Sequence, residues 1–162
     1  MKHFLAVVLA AVIAAVAGAQ TKPVAAFEKL KALDGNWQGK TATGGLVRVS
    51  FQTTSGGFTV LQMLKVSGWP EKPTLYHLDG NRLMLTHYCS ANNQPRMTSD
   101  GKLDDRGALH FSLLDITNLA SEEAMHMRKM MLRFVDKDHI VQEWTWSEKG
   151  KDHLESFDLA RN

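Results

Sequence analysis

The sequence has a single cysteine, Cys89, among its 162 residues. An intramolecular disulfide and a zinc site built only from cysteines are therefore excluded. The chain also lacks an excess of either charge, because 19 lysines and arginines are balanced by 17 aspartates and glutamates. A protein without a basic excess cannot neutralise many phosphates, so we expect no nucleic-acid partner.

Several motifs of catalysis are absent as well. The sequence contains no Gly-x-Ser-x-Gly, His-Glu-x-x-His or Cys-x-x-Cys motif, and no glycine-rich phosphate loop before a helix. Asn-x-Ser/Thr does not occur, so N-glycosylation is not expected. We assign no catalytic residue and favour a binding protein over an enzyme. Enzymatic action through general acid–base residues such as His87 and Glu143 is an alternative, but nothing in their spacing requires it.

The one long apolar run lies at the start of the chain. Residues 4–16 read FLAVVLAAVIAAV after the basic start MKH, and AGA follows at positions 17–19. This arrangement is typical of a secretory signal, and the run is shorter than the ~20 residues of a membrane span. We predict a signal peptide over residues 1–19, cleaved after Ala19, a secreted or periplasmic protein, and no stable membrane span afterwards. Export exposes the chain to oxidation, so Cys89 is either buried and inert or exposed and reactive.

Residues 20–162 have the length and composition of one domain, since the chain is 44% hydrophobic and 22% charged. Residues 23–33 place apolar side chains at helical spacing, with Pro23 at the start and Gly35 just past the end. These features predict one short helix. From Trp37 onward, short alternating runs separated by turn residues predict nine or ten strands.

The strands are expected to pair antiparallel, because no strand–helix alternation appears after the first helix. A meander of that many strands curls, and closure removes its edges. We therefore predict an all-β fold, an antiparallel up-and-down β-barrel of about ten strands with one short N-terminal helix. A β-sandwich is the alternative.

The densest polar cluster is the segment 86–96. In a strand, His87 and Cys89 share a face with Leu83 and Leu85, and this face should line the barrel interior. An imidazole and a thiol on an apolar wall suit a soft metal, haem iron or the polar end of a small ligand. The structural alternative is a hydrogen-bonded core histidine beside a cysteine that acts as a small hydrophobic residue.

The faces of two other side chains depend on register, because a slip of one residue moves a side chain to the other face. A two-residue or four-residue loop in the hairpin around Gly80 pairs His77 with a residue such as Met84, on the face opposite His87. A three-residue loop places His77 on the same face as His87. In a later strand, Trp144 and Glu143 lie on opposite faces, so the interior is either aromatic or contains a carboxylate that needs a cationic partner.

Two short motifs resemble the calycin group, which comprises lipocalins, fatty-acid-binding proteins and nitrobindin-like barrels. Residues 33–39 (LDGNWQG) contain the Gly-x-Trp that opens the first strand in those families, and residues 157–161 (FDLAR) end the last strand. The resemblance implies that Arg161 packs on Trp37 and closes one end of the barrel. Nitrobindin-like barrels hold haem through a histidine near the C-terminal strands, but His153 borders a turn and is not matched to that ligand.

A further resemblance is to small exported bacterial proteins of unassigned function that carry runs like THYC (86–89) and NQPRM (93–97). It supports the fold and implies no activity.

We therefore expect an exported barrel that holds an apolar or amphipathic organic molecule in its interior. His87, Arg96 and a neighbouring aromatic side chain would fix the polar end of this ligand. One alternative is haem or metal binding through His87, His77 or His126; apart from this haem alternative, no resident cofactor is expected. Another is a filled barrel that acts as an interaction module. The full set of predicted ligand-binding residues is His87, Cys89, Tyr76, Arg96, His126 and Trp144.

Overall fold

The computed structural model describes residues 21–162, and the predicted signal peptide lies outside this range. The chain begins with helix α1 (Lys22–Lys31) and continues with ten strands. The strands are β1 (Gly35–Lys40), β2 (Leu46–Thr54), β3 (Thr59–Val66), β4 (Lys72–Asp79), β5 (Arg82–His87), β6 (Gln94–Ser99), β7 (Ala108–Thr117), β8 (His126–Phe134), β9 (His139–Glu148) and β10 (Lys151–Arg161).

Each strand pairs antiparallel with the next one along the chain, and β1 pairs with β10 to close the barrel. The prediction of an all-β up-and-down barrel with one short N-terminal helix is confirmed, and the β-sandwich alternative is wrong. Closure pairs the backbone groups that an open sheet would leave along its two edges. The alternating apolar residues of the strands now face a common interior.

Helix α1 covers one end of the barrel, which we call the closed end. Pro23 occupies the first turn, and the buried face of the helix includes Phe27 and Leu30. The β6–β7 loop meets the helix at Gly101, where an added Cβ would come within 2.5 Å of the Pro23 Cα. Glycine allows this close approach and the positive φ of 73° at that position.

The contact predicted between Arg161 and Trp37 is present at the closed end. The guanidinium carbon lies 4.3 Å from the centre of the indole ring. The same guanidinium donates to the carbonyl oxygens of Asp34 (2.8 Å) and Ala32 (3.1 Å), just after the helix. Trp37 Nε1 donates to Leu33 O at 2.8 Å, so both side chains tie the helix exit to the barrel.

The opposite end, which we call the open end, carries the β1–β2, β3–β4, β5–β6, β7–β8 and β9–β10 connections. Asn93 links two of them, because its buried side-chain amide donates to Met125 O at 2.8 Å. The β5–β6 connection therefore lies against the β7–β8 connection.

The strand register shows on which face of the sheet His77 lies, and which of Trp144 and Glu143 points into the barrel. Asp79 pairs with Arg82 across a two-residue loop, and His77 pairs with Met84. His77 therefore lies on the face opposite His87. In β9, Trp144 is buried in the core and Glu143 is partly exposed on the outer face, so the aromatic interior is the one observed.

Cys89 departs from the predicted strand. Strand β5 ends at His87, and Cys89 lies in the following turn, where its N–H donates to Asn93 O at 3.0 Å. The chain reverses here through Asn92, whose φ is 62°. The expectation that Cys89 continues the strand face of His87 is therefore wrong, whereas its burial, at 7% exposure, is confirmed.

Candidate functional site

Polar side chains form a layer across the middle of the barrel. Gln62 and Gln142 exchange two amide hydrogen bonds of 3.2 and 3.0 Å, and the Tyr76 hydroxyl donates to Gln62 Oε1 at 2.7 Å. All three side chains are fully buried. Burial raises the pKa of Tyr76 far above its ordinary value, so the hydroxyl keeps its proton. Side chains therefore fill the middle of the interior and satisfy one another's hydrogen bonds.

His87 lies beside this layer, on the side of the open end. Its Nδ1 is 2.8 Å from Thr74 Oγ1, and its ring centre is 4.8 Å from that of Trp144. Burial, with a smaller contribution from the charge of Lys72, lowers the pKa of His87 to about 3. The imidazole is therefore neutral near pH 7. Its Nε2 has no hydrogen-bond partner among the described residues, which is uncommon for a buried polar atom.

A cavity of about 520 Å³ occupies the open end. Lys72 and Trp146 each lie two residues nearer this end than Thr74 and Trp144 on the same strand faces, so the cavity lies one layer above His87. Its walls combine apolar and aromatic side chains with a few charged ones. The lining residues are Val66, Trp69, Lys72, Ser90, Met125, Met127, Trp146, Glu148, His153, Leu154 and Glu155.

An aromatic platform forms one wall of the cavity. Trp146 pairs directly with Met127 of β8 and with His153 of β10, so the three side chains form a single row across three strands. The His153 ring stacks on the Trp146 indole with 4.0 Å between centres and 14° between planes. The His153 ring covers one face of the indole, so a flat, apolar or positively charged group can stack only on the other face.

Charges of opposite sign lie on opposite walls. Lys72 lies on β4, and its ammonium is 5.6 Å from the centre of the Trp69 ring. Glu148 ends β9, and Glu155 lies on the adjacent β10. Strands β4 and β9 are five positions apart in either direction around the barrel, so they face each other. Within residues 21–162, none of these three charged groups has an ion pair within 4 Å.

The structure separates the residues that the sequence grouped as a site. His87, Tyr76 and Trp144 lie in the interior, beneath the cavity. His126 begins β8 with Nδ1 2.7 Å from Ala124 O. Arg96 is exposed on the outer surface, where it forms a two-point pair with Asp115, so its guanidinium does not reach the interior.

Sequence reasoning missed most of the cavity wall. Trp146 carried a signal, because it shares a strand face with Trp144. Lys72 carried no such signal, because it lies between Pro70 and Pro73, and prolines so close together are typical of a loop.

Within the described residues, no group of three or more His, Cys, Asp or Glu side chains is placed to hold a metal ion. In the same part of the chain, no helix is both long enough and apolar enough to cross a membrane.

The fold and the cavity define a closed, ten-stranded antiparallel β-barrel with one helix-covered end and one open end. Among solved structures, the chain is similar to Rv2717c from M. tuberculosis, with 17% identity and a TM-score of 0.58 over 85% of this chain and 97% of the other. A protein of unknown function from the DUF3598 family of Nostoc punctiforme has 13% identity and a TM-score of 0.46, over 82% of this chain and 49% of the other.

No protein-family model and no curated protein matches the chain. The likeness to Rv2717c supports the barrel fold alone. The calycin resemblance stays a prediction.

Proposed function

We propose that this protein is an exported, non-enzymatic barrel that binds one small amphipathic molecule in its open-end cavity. The observation that carries this proposal is the cavity of about 520 Å³, lined by aromatic and apolar side chains with a few charged groups. Small-molecule sites in proteins have volumes of roughly 300–1,000 Å³ and this kind of lining. The layer of Gln62, Gln142 and Tyr76 fills the middle of the barrel, so the ligand is expected at the open end rather than deep in the interior.

A fluorescent apolar dye and native mass spectrometry test this proposal. Ser90 is an exposed loop residue that lines the cavity, and Ser90→Trp would fill part of it without disturbing the core. We expect this variant to lose most of its dye binding and any co-purified mass. Ser121→Trp is the matched control, since Ser121 is exposed in the β7–β8 connection at the same end and does not line the cavity. Equal dye binding by both variants would contradict the proposal.

Haem binding through His87 is the less favoured alternative. The free Nε2 of a neutral imidazole suits an iron ligand, but His87 is fully buried, with its ring 4.8 Å from that of Trp144. A macrocycle would have to enter the packed core of the barrel to reach this nitrogen. Titration with haemin tests the alternative: a saturable Soret band that His87→Ala abolishes would establish it against the organic ligand.

A further inference from the structure

We infer that the ligand of the open-end cavity is a zwitterion, with a positive group and a negative group at opposite ends of an apolar body. This inference rests on the proposed function and specifies the chemical class of its ligand. It follows from the position of the cavity's charges around the barrel, and from the absence of ion pairs to these charges within residues 21–162.

The negative end is assigned to the β4 wall. Lys72 is half-buried there, and the carboxylates that share the cavity lie across the barrel on β9 and β10. The ammonium also lies near enough to the interior to lower the pKa of His87. Trp69 gives this ammonium a cation–π contact, and a carboxylate of the ligand would add the anionic partner that the described residues do not supply.

The positive end is assigned to the opposite wall. Glu155 is half-buried beside the Trp146 platform, and Glu148 lies at the rim. An ammonium placed here would contact a carboxylate and could also rest on the indole face that His153 leaves free, because an aromatic face attracts cations. The row of Met127, Trp146 and His153 then supports the apolar body between the two ends.

Ligands with one charge or none fit this arrangement less well. A simple carboxylate would pair with Lys72 but cover Glu155 without giving it a partner, and a simple amine would do the reverse. A neutral molecule would cover both charges without pairing either. Covering a charge without a partner costs free energy, so the molecule that pairs both ends is the best match.

Isothermal titration calorimetry on the full mature chain tests the inference. The probes are a series of ω-amino acids of increasing chain length, each compared with the fatty acid and the alkylamine of the same length. We expect one length of amino acid to bind at least about tenfold more tightly than both matched compounds, because each matched compound leaves one of the two cavity charges without a charge-assisted hydrogen bond. The inference would be overturned if a fatty acid or an alkylamine bound as tightly as the tightest-binding amino acid of the series.

Two variants assign the ends. Lys72→Met should weaken binding of the amino acid and the fatty acid about tenfold and leave the alkylamine unchanged, whereas Glu155→Gln should weaken the amino acid and the alkylamine only. Lys129→Met and Glu143→Gln are the matched controls, because both residues lie on the outer face and line a separate groove. If the dye binds but no amino acid binds more tightly than its matched fatty acid and alkylamine, the zwitterion is refuted and the proposed function stays in place. Failure of both the probes and the dye to bind would refute both.

Discussion

The buried, neutral imidazole of His87 makes the stability of the barrel depend on pH. Burial lowers the folded-state pKa of His87 to about 3, whereas the ordinary value is 6.5. Below about pH 6.5 the unfolded chain therefore binds a proton that the folded barrel does not. The stability associated with the neutral ring is complete above pH 6.5 and is lost as the pH falls toward 3.

The magnitude follows from this linkage. Each pH unit between the two pKa values changes the free energy of unfolding by about 1.4 kcal/mol, so His87 alone removes about 3 kcal/mol by pH 4.5. This is about a fifth to three fifths of the roughly 5–15 kcal/mol that typically stabilises a domain. We expect the barrel to be much easier to unfold with urea at pH 4.5 than at pH 7.

Urea unfolding of the parent and of His87→Asn, measured at several pH values between 7 and 4.5, isolates this contribution. Asparagine can keep a hydrogen bond to Thr74 Oγ1, the partner of His87 Nδ1, but does not titrate. Leu85→Val is the control, since it shortens a fully buried side chain on the same strand face and keeps the histidine. Parallel pH curves for the parent and His87→Asn would refute the reasoning, as would a Leu85→Val curve that flattens like that of His87→Asn.

Three further predictions concern the closed end of the barrel, the polar layer in its middle and the N-terminus of the exported chain. Arg161→Ala should lower the free energy of unfolding by about 2 kcal/mol in urea titrations, because it removes the contact with Trp37 and the bonds to two carbonyls at the helix exit; unchanged stability would contradict this closing role. Gln62→Leu should cost about 1–3 kcal/mol, because it leaves Gln142 Nε2 and the Tyr76 hydroxyl without their acceptor. Gln62→Leu with Gln142→Leu should cost no more, because it removes the second amide and leaves the same hydroxyl without its acceptor; a fully additive double-mutant cycle would argue against a coupled layer. Intact-mass measurement of the exported protein should place its N-terminus at Gln20, and a mass that includes residues 1–19 would refute cleavage after Ala19.

The barrel fold could be predicted from the sequence, because the patterns that indicate strands and turns are local. Alternation within each run and turn residues between runs indicated the number of strands, and the absence of further helices indicated antiparallel pairing. The Arg161–Trp37 contact was expected from the resemblance at the two ends of the chain. By contrast, the face of His77 depended on the length of one loop, which the residues around Gly80 permit in more than one form.

The open-end cavity was harder to predict from the sequence, because its residues come from strand ends that sequence rules place in loops. Pro73 lies next to the cavity residue Lys72, and proline indicated a loop there. The structure nevertheless includes Pro73 in β4, opposite Met63 of β3, and its carbonyl accepts a hydrogen bond from the Tyr88 N–H at 2.9 Å. A proline can lie near the start of a strand when its missing N–H is not needed by the neighbour.

The pairing of β1 with β10 also constrains when the barrel can form. Trp37 lies opposite Arg161, so the closing seam joins the first strand to the end of the last one. The seam cannot form until the C-terminal residues are available, and contacts between such distant parts of a chain form slowly. Until then both edge strands expose unpaired backbone groups that can pair with another molecule. A chain shortened by the last strand would therefore be expected to aggregate during synthesis or export, rather than to persist as a slightly less stable monomer.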